Sequence, residues 1–308
     1  MPYFLYKGAK LKQDESQKRT GQSPADEPKI FYIDKGQGKQ VLFFIHGWYQ
    51  NARDAFGYYI DAFSSEYRII APTLPGHGQS YKDPRYEYTL EEAYKAMEQL
   101  LNKVQEESSD ITLIGHSMGG FLAMKLALLN PGKIQNLVLI SPIGDFRPYE
   151  KELKKMLNAP LPLLKLTFFF RALFDKYPFG DRKQIYDENM GHRIPSRITH
   201  YKIKMRNHPL YAALGYMRSF LGTAIDPLVK HYHGPALFIY GENDKLTPPS
   251  LAPAIATNMP RSIFRVIPSA GHNVHLTRKE EVFSLMRHFL EEHQAKQSFF
   301  KRLFKRKK

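Results

Sequence analysis

Short runs of consecutive apolar residues recur along the chain and alternate with stretches of helical period. Residues 41–45, 111–114, 137–141, 236–240 and 263–267 are rich in β-branched, aromatic and aliphatic side chains with few polar interruptions. A continuous apolar run lacks the alternation of a half-solvated strand and fits a strand buried on both faces, as in a parallel sheet. Residues 29–34 and 67–74 extend the series, and the turn Lys35-Gly-Gln-Gly38 makes 29–34 and 41–45 read as a hairpin. Between the strands, Thr89-Leu-Glu-Glu92 has the form of a capping box that opens a helix reaching about Glu107, and residues 121–129 are a second helix-like run. The alternation predicts a mostly parallel sheet with helices on both faces.

It stops after Ser141 and resumes at Pro235. The stretch between carries Pro148, Pro160, Pro162, Pro178, Pro195, Pro209 and Pro227 among short apolar runs, and reads as a helical cap inserted over the carboxyl ends of the strands. This divides the chain into a core of residues 1–144 and 231–297, a cap of 145–230 and a tail of 298–308. Residues 10–28 are polar and predict a loose arm. No internal repeat is visible.

The run 111–114 leads directly into Gly115-His-Ser-Met-Gly119. A serine at a sharp strand-to-helix turn is held as an exposed nucleophile, and Gly115, Gly119 and Gly120 remove side chains that would collide there. Ser117 is therefore the candidate nucleophile, and it needs a histidine to take its proton and a carboxylate to orient that histidine. The ends of the strands 236–240 and 263–267 supply Asp244 and His272. Asp145, after the strand 137–141, is the alternative acid, with Glu242 also near; His275 is the alternative base. An oxyanion needs preorganised donors. The Met118 amide, at the start of the new helix, is one, and the Trp48 amide, in the loop where Gly47 permits close approach, is the second. His46 reads as a structural residue that fixes this loop by hydrogen bonding.

The motifs His46-Gly-Trp48, Pro75-Gly-His-Gly-Gln-Ser80, Gly115-His-Ser-Met-Gly119, Gly241-Glu-Asn-Asp244 and Gly271-His272 are spread from about residue 29 to 295. In them the chain resembles the capped, serine-nucleophile members of the α/β-hydrolase superfamily, esterase- and lipase-like. The resemblance implies an α/β-hydrolase fold with an eight-stranded, mostly parallel sheet. It also implies Ser117 as nucleophile, Asp244 as acid, His272 as base, and the Trp48 and Met118 amides as oxyanion hole. Relatives with aspartate as nucleophile are disfavoured by the serine at 117.

Composition narrows the rest. With no cysteine, disulfides, thiolate catalysis and cysteine-ligated metals are excluded. No ligand spacing points to a metal, and no cofactor is expected. No apolar run reaches the ~20 residues that cross a bilayer, and the first residues lack a secretory pattern, so the expected location is cytoplasmic. The formal charge of +15 is uneven: residues 147–230 carry 16 Lys and Arg against 7 Asp and Glu, and residues 296–308 carry 7 against none. In the tail, Phe299 with Leu303 and Phe300 with Phe304 are i, i+4 pairs, while Lys301, Arg302, Lys305 and Arg306 lie mostly elsewhere. A basic amphipathic helix of this kind predicts contact with an anionic membrane on its inner face. A solvated tail is the plain alternative, and without a recognised module nucleic acid is not the expected partner. Residues 161–174, apolar but for Lys165 and Arg171, either dip into such an interface or line an acyl pocket. The oligomeric state is not legible.

The function expected from all this is a serine hydrolase that cleaves a small-molecule carboxylic ester with an apolar, lipid-derived acyl or alcohol group, through an acyl-enzyme on Ser117. Two alternatives stay open. One is the same triad used for other chemistry: a menaquinone-pathway-type lyase, a carbon-carbon bond hydrolase or a cofactor-free haloperoxidase. The other is a non-catalytic binding module on the same fold.

Overall fold

In the computed structural model the described residues are 3–9, 28–108, 110–174, 195–224, 229, 231–251, 255 and 258–305, without the side chains of 172, 173, 251 and 295–305. The strands are β1 (Tyr3–Leu5), β2 (Lys29–Lys35), β3 (Val41–Ile45), β4 (Arg68–Pro72), β5 (Ile111–His116), β6 (Asn136–Ile140), β7 (Ala236–Gly241) and β8 (Ser262–Ile267). They form one eight-stranded sheet in the order β1-β2-β4-β3-β5-β6-β7-β8. From β4 to β8 every neighbouring pair is parallel, whereas β2 is antiparallel to β4 and β1 to β2. The longer helices of the core are α1 (Ala52–Phe63), α2 (Leu90–Glu107) and α3 (Met118–Leu129). Between β6 and β7 come α4 (Glu150–Leu157), α5 (Leu161–Leu173), α6 (Arg197–Asn207) and α7 (Leu210–Ser219), and after β8 the short α8 (Val274–Thr277) and the long α9 (Lys279–Lys305).

The unbroken apolar runs are explained by the layers. In β3 every residue is buried: Val41, Phe43 and Ile45 face the side of α2 and α3, while Leu42 and Phe44 face α1 and α9. Successive strand residues point to opposite faces, so a strand covered on both sides has no position left for a polar residue. Each such side chain contributes roughly 1.5–3 kcal/mol relative to exposure.

The hairpin reading of 29–34 with 41–45 is corrected. The strands β2 and β3 are not paired; β4 lies between them, bonded antiparallel to β2 and parallel to β3. The glycines serve a chain crossing instead of a tight turn. Gly36 has φ +83°, and a Cβ there would lie 2.2 Å from the carbonyl oxygen of Tyr67; one on Gly38 would lie 2.2 Å from that of Glu66. The connection thus passes against the backbone entering β4. Strand β1 was not anticipated, because three residues of which Tyr3 and Leu5 are exposed make no apolar run.

Thr89 caps α2, accepting from the Glu92 amide at 3.2 Å. The Glu92 carboxylate accepts from the Tyr6 hydroxyl at 2.9 Å, which ties the N-terminal strand region to this helix. Most of the arm 10–28 lies outside the described residues, as do 175–194 and 225–228 of the inserted segment. The tail is continuous with α9, whose backbone stays helical to Lys305; the side chains of Phe299, Phe300, Lys301, Arg302, Leu303, Phe304 and Lys305, and the whole of Arg306, fall outside what is described.

The inserted helices are fastened over the strand ends mainly by α6 and α7. The Lys204 ammonium, on a residue only 2% exposed, pairs with Asp54 of α1 at 3.2 Å. The Gly78 amide donates to the Asn207 carbonyl at 2.7 Å, the Trp48 indole to the Ala213 carbonyl at 3.3 Å, and the Tyr216 hydroxyl to the Pro75 carbonyl at 2.9 Å.

Because the crossing has no room for a Cβ and the φ is left-handed, Gly36→Ala is expected to cost more than about 1 kcal/mol. Urea titration checks this. An unchanged midpoint would show that the segment relaxes without strain.

Candidate active site

Ser117 stands between β5 and α3 with φ 54° and ψ −117°, a left-handed backbone that a side chain rarely adopts. Its neighbours hold it there. A Cβ on Gly115 would come within 2.3 Å of the Gly119 carbonyl oxygen, and one on Gly119 within 2.0 Å of that of Ile45. The helix therefore starts in backbone contact with the end of β3, and the Ser117 amide donates to the Ile140 carbonyl of β6 at 3.0 Å.

Three side chains from separate strand ends meet at this point. The Ser117 hydroxyl donates to His272 Nε2 at 2.9 Å, and His272 Nδ1–H donates to Asp244 Oδ2 at 2.9 Å. Asp244 follows β7 and His272 follows β8, so the sheet register brings together residues 127 and 155 positions from Ser117 along the chain. The carboxylate is nearly enclosed. Burial pushes its pKa up, but the hydrogen bond and charge of His272 and the donors of Thr247 outweigh that and hold it below the ordinary value. An ionised acceptor at Nδ1 leaves Nε2 of the neutral ring as the proton acceptor facing the serine.

Thr247 was not singled out from the sequence. Its amide and that of Leu246 donate to Asp244 Oδ1 at 3.0 and 2.9 Å, and its hydroxyl donates to Oδ2 at 2.8 Å. The signal was present as Asp244-Lys-Leu-Thr247, a spacing at which an aspartate accepts from amides two and three residues on.

The other candidates are placed elsewhere. Asp145 forms a fork with Arg147 at 2.9 and 3.0 Å, accepts from the Arg147 amide, and lies at a bridge to Ala224; Arg147 holds its carboxyl below the usual range. The chain turns into the cap root before Asp145 and aims it at its own neighbour. Glu242 accepts from the Ser269 amide at 2.9 Å and braces the loop that carries His272. His275 is buried with its ring centroid 4.0 Å from that of His116.

In the loop after β3, His46 donates from Nδ1 to the Gly47 carbonyl at 2.8 Å and accepts at Nε2 from the Leu74 amide at 2.9 Å. Both ring nitrogens are thus used on backbone, which fastens the segment carrying Trp48. Met118 opens α3, and first-turn amides have no partner within their own helix. Gln50 and His116 were also missed. The Gly47 amide donates to Gln50 Oε1 at 3.1 Å; His116 has Nδ1 3.1 Å from that same oxygen and Nε2 3.1 Å from the carbonyl of His272. Burial keeps the His116 ring neutral, so it donates to one of these oxygens. Among the described residues no three His, Asp or Glu side chains converge as metal ligands would.

Comparison with known proteins agrees with this architecture. A family model described as alpha/beta hydrolase fold matches residues 40–279. The chain is 26% identical over 263 residues to the uncharacterized hydrolase YugF of Bacillus subtilis, covering 83% of this chain and 92% of that one. It is 24% identical to a 2-hydroxy-6-oxo-6-(2'-aminophenyl)hexa-2,4-dienoic acid hydrolase of Metapseudomonas resinovorans, over 84% of this chain and 86% of the other. Among solved structures, a thermophilic esterase from Thermogutta terrifontis superposes with a TM-score of 0.66 at 20% identity, over 86% and 94% of the two chains.

Burial sets a pH dependence. It lowers the pKa of His46, His116 and His208 well below 6.5, that of His77 to about 4 and that of His275 to about 3. These rings are neutral when folded, while in the unfolded chain they titrate near the ordinary 6.5. Stability is therefore full above that value and falls as pH drops below it toward 4. Thermal melts are expected to show a clearly lower midpoint at about pH 5 than at about pH 7.5. Equal midpoints would contradict neutral burial.

Proposed function

The chain belongs to the α/β-hydrolase fold family, and on that premise we propose that it is a serine hydrolase acting on a small organic ester with an apolar, lipid-derived part. The observation that carries this reading is the pair of 2.9 Å contacts that link Ser117 to His272 and His272 to Asp244. Ser117 Oγ attacks the ester carbonyl as its proton passes to His272 Nε2, and Asp244 stabilises the imidazolium through Nδ1–H. The amides of Trp48 and Met118 receive the oxyanion; one such donor lowers the barrier by about 3–4 kcal/mol. Collapse returns the proton to the leaving alcohol, and a water activated by the same histidine releases the acid and restores Ser117. The apolar half of the reading is supported by the inner side of α5, where Leu164 and Phe168 are buried and the Phe168 ring lies 6.5 Å from that of Trp48.

A second reading, carbon-carbon bond hydrolysis by the same three residues, is favoured by the similarity to the aminophenyl-hexadienoic acid hydrolase. Lyase and haloperoxidase chemistry stay open on a likeness of fold alone, to MenH from S. aureus at 22% identity and a bromoperoxidase from Bacillus anthracis at 21%; a binding module without catalysis has no such likeness behind it. The basic tail 298–308 is proposed as an added contact with anionic lipid, on its sequence pattern.

Turnover of nitrophenyl esters tests the proposal. Ser117→Ala is expected to remove it by about 10⁶-fold with the fold retained, and Asp244→Asn to lower kcat by about 10⁴-fold. Ester turnover should be far faster than that of a vinylogous dienoic acid; the reverse preference would favour the carbon-carbon reading. Equal ester turnover by Ser117→Ala and parent would refute the role of Ser117.

A further inference from the structure

We propose that the outward face of α5, with the adjoining face of α6, is a docking surface for an anionic lipid bilayer. The two sides of α5 differ in kind. Leu164 and Phe168 point inward, and the Phe168 ring lies 6.5 Å from Trp48 and 5.8 Å from Tyr49. Leu163, Leu166, Phe170 and the following Phe174 are 49–66% exposed. Their spacing of three, four and four residues puts all four on one stripe. Single exposed apolar residues are ordinary on a protein surface; a stripe of four large ones is the mark of an interaction site.

The charge around the stripe selects the partner. Helix α6 lies beside α5, with Phe169 packed edge-on against Tyr201 at 5.2 Å, and it exposes Ile198 near its start. The two helices expose Lys165, Arg171, Arg197, Lys202 and Arg206, and neither contains an aspartate or glutamate. A second copy of the same face would set these cations against one another. A nucleic acid would meet the cations and leave the leucines and phenylalanines in water. An anionic bilayer satisfies both, because the apolar stripe enters the boundary of the acyl chains while the cations lie among the headgroups. The surface does not depend on the chemistry at Ser117; its use in delivering a lipid ester to that chemistry does rest on the proposed function. The same helix that would lie on the lipid has its inner side against Trp48, at the oxyanion loop.

Cosedimentation of the full chain with phosphatidylcholine vesicles, alone or mixed with phosphatidylglycerol, tests the surface. The parent is expected to pellet with the mixed vesicles only and to be released as salt rises. The double variant Leu166→Ser/Phe170→Ser is expected to partition at least about tenfold more weakly, and Arg171→Gln/Lys202→Gln also more weakly than parent. Both should keep parental turnover of a soluble short-chain ester, which separates lost docking from lost folding; absence of turnover in parent and variants alike would count against the ester reading and leave the vesicle result intact. A chain ending at residue 297 should retain the dependence on Leu166 and Phe170. Parental vesicle binding by the Leu166→Ser/Phe170→Ser variant would overturn the proposal. So would a lipid-free dimer that this variant converts to monomer in light scattering, since the face would then belong to a second copy.

Discussion

The close approach of α3 to the end of β3 is the constraint on which the site depends. With hydrogen at position 119 the helix can start against the Ile45 carbonyl, and with any side chain there it cannot. That contact sets Ser117 in its left-handed backbone at the turn and brings the start of α3 beside the His46–Trp48 loop. Strain of this kind is kept only where the surroundings over-determine it. Here they include the Ile140 carbonyl below Ser117 and the imidazole of His272 above it.

Around this point the polar groups are buried in a way that conserves one protonation state. Asp244 is surrounded by donors, so it stays ionised despite its enclosure. His46 and His77 have both nitrogens occupied by backbone groups, the latter through Pro75 and the Tyr49 amide, so they stay neutral. The Gly47, Gln50, His116 and His272 contacts connect the His46–Trp48 loop to the loop carrying His272 through the residue before Ser117. Rigid placement of donors before reaction is what makes them effective in stabilising developing charge. The cap is joined to the same loop through Trp48, whose indole bonds to α7 and whose ring lies against Phe168 of α5.

Much of this was legible in the sequence because steric and solvent demands act locally. The unbroken apolar runs mark strands covered on both faces, and the residues that follow β5, β7 and β8 are those the sheet brings together. The glycines at 36 and 38 misled because a glycine reports the need for close approach without saying to what; a turn and a crossing look alike. Gln50 and His116 escaped because their roles depend on partners far away in the chain, the two being 66 residues apart, whereas Thr247 sits only three residues from the Asp244 it supports and was overlooked despite that local spacing. In the sequence, residues 161–174 read as an apolar segment that either dips into an interface or lines an acyl pocket, without saying which side does which; that is decided by Trp48 and Tyr49, against which Phe168 packs.

In the proposed reaction the hydroxyl at 117 becomes covalently acylated. Rapid acid quench during turnover of a nitrophenyl ester, followed by mass mapping of the peptides, addresses it most directly. The acyl mass is expected on the peptide bearing Ser117, formed in a burst with the first equivalent of nitrophenol. Sustained turnover with no acyl mass there, or with the adduct on another residue, would contradict it.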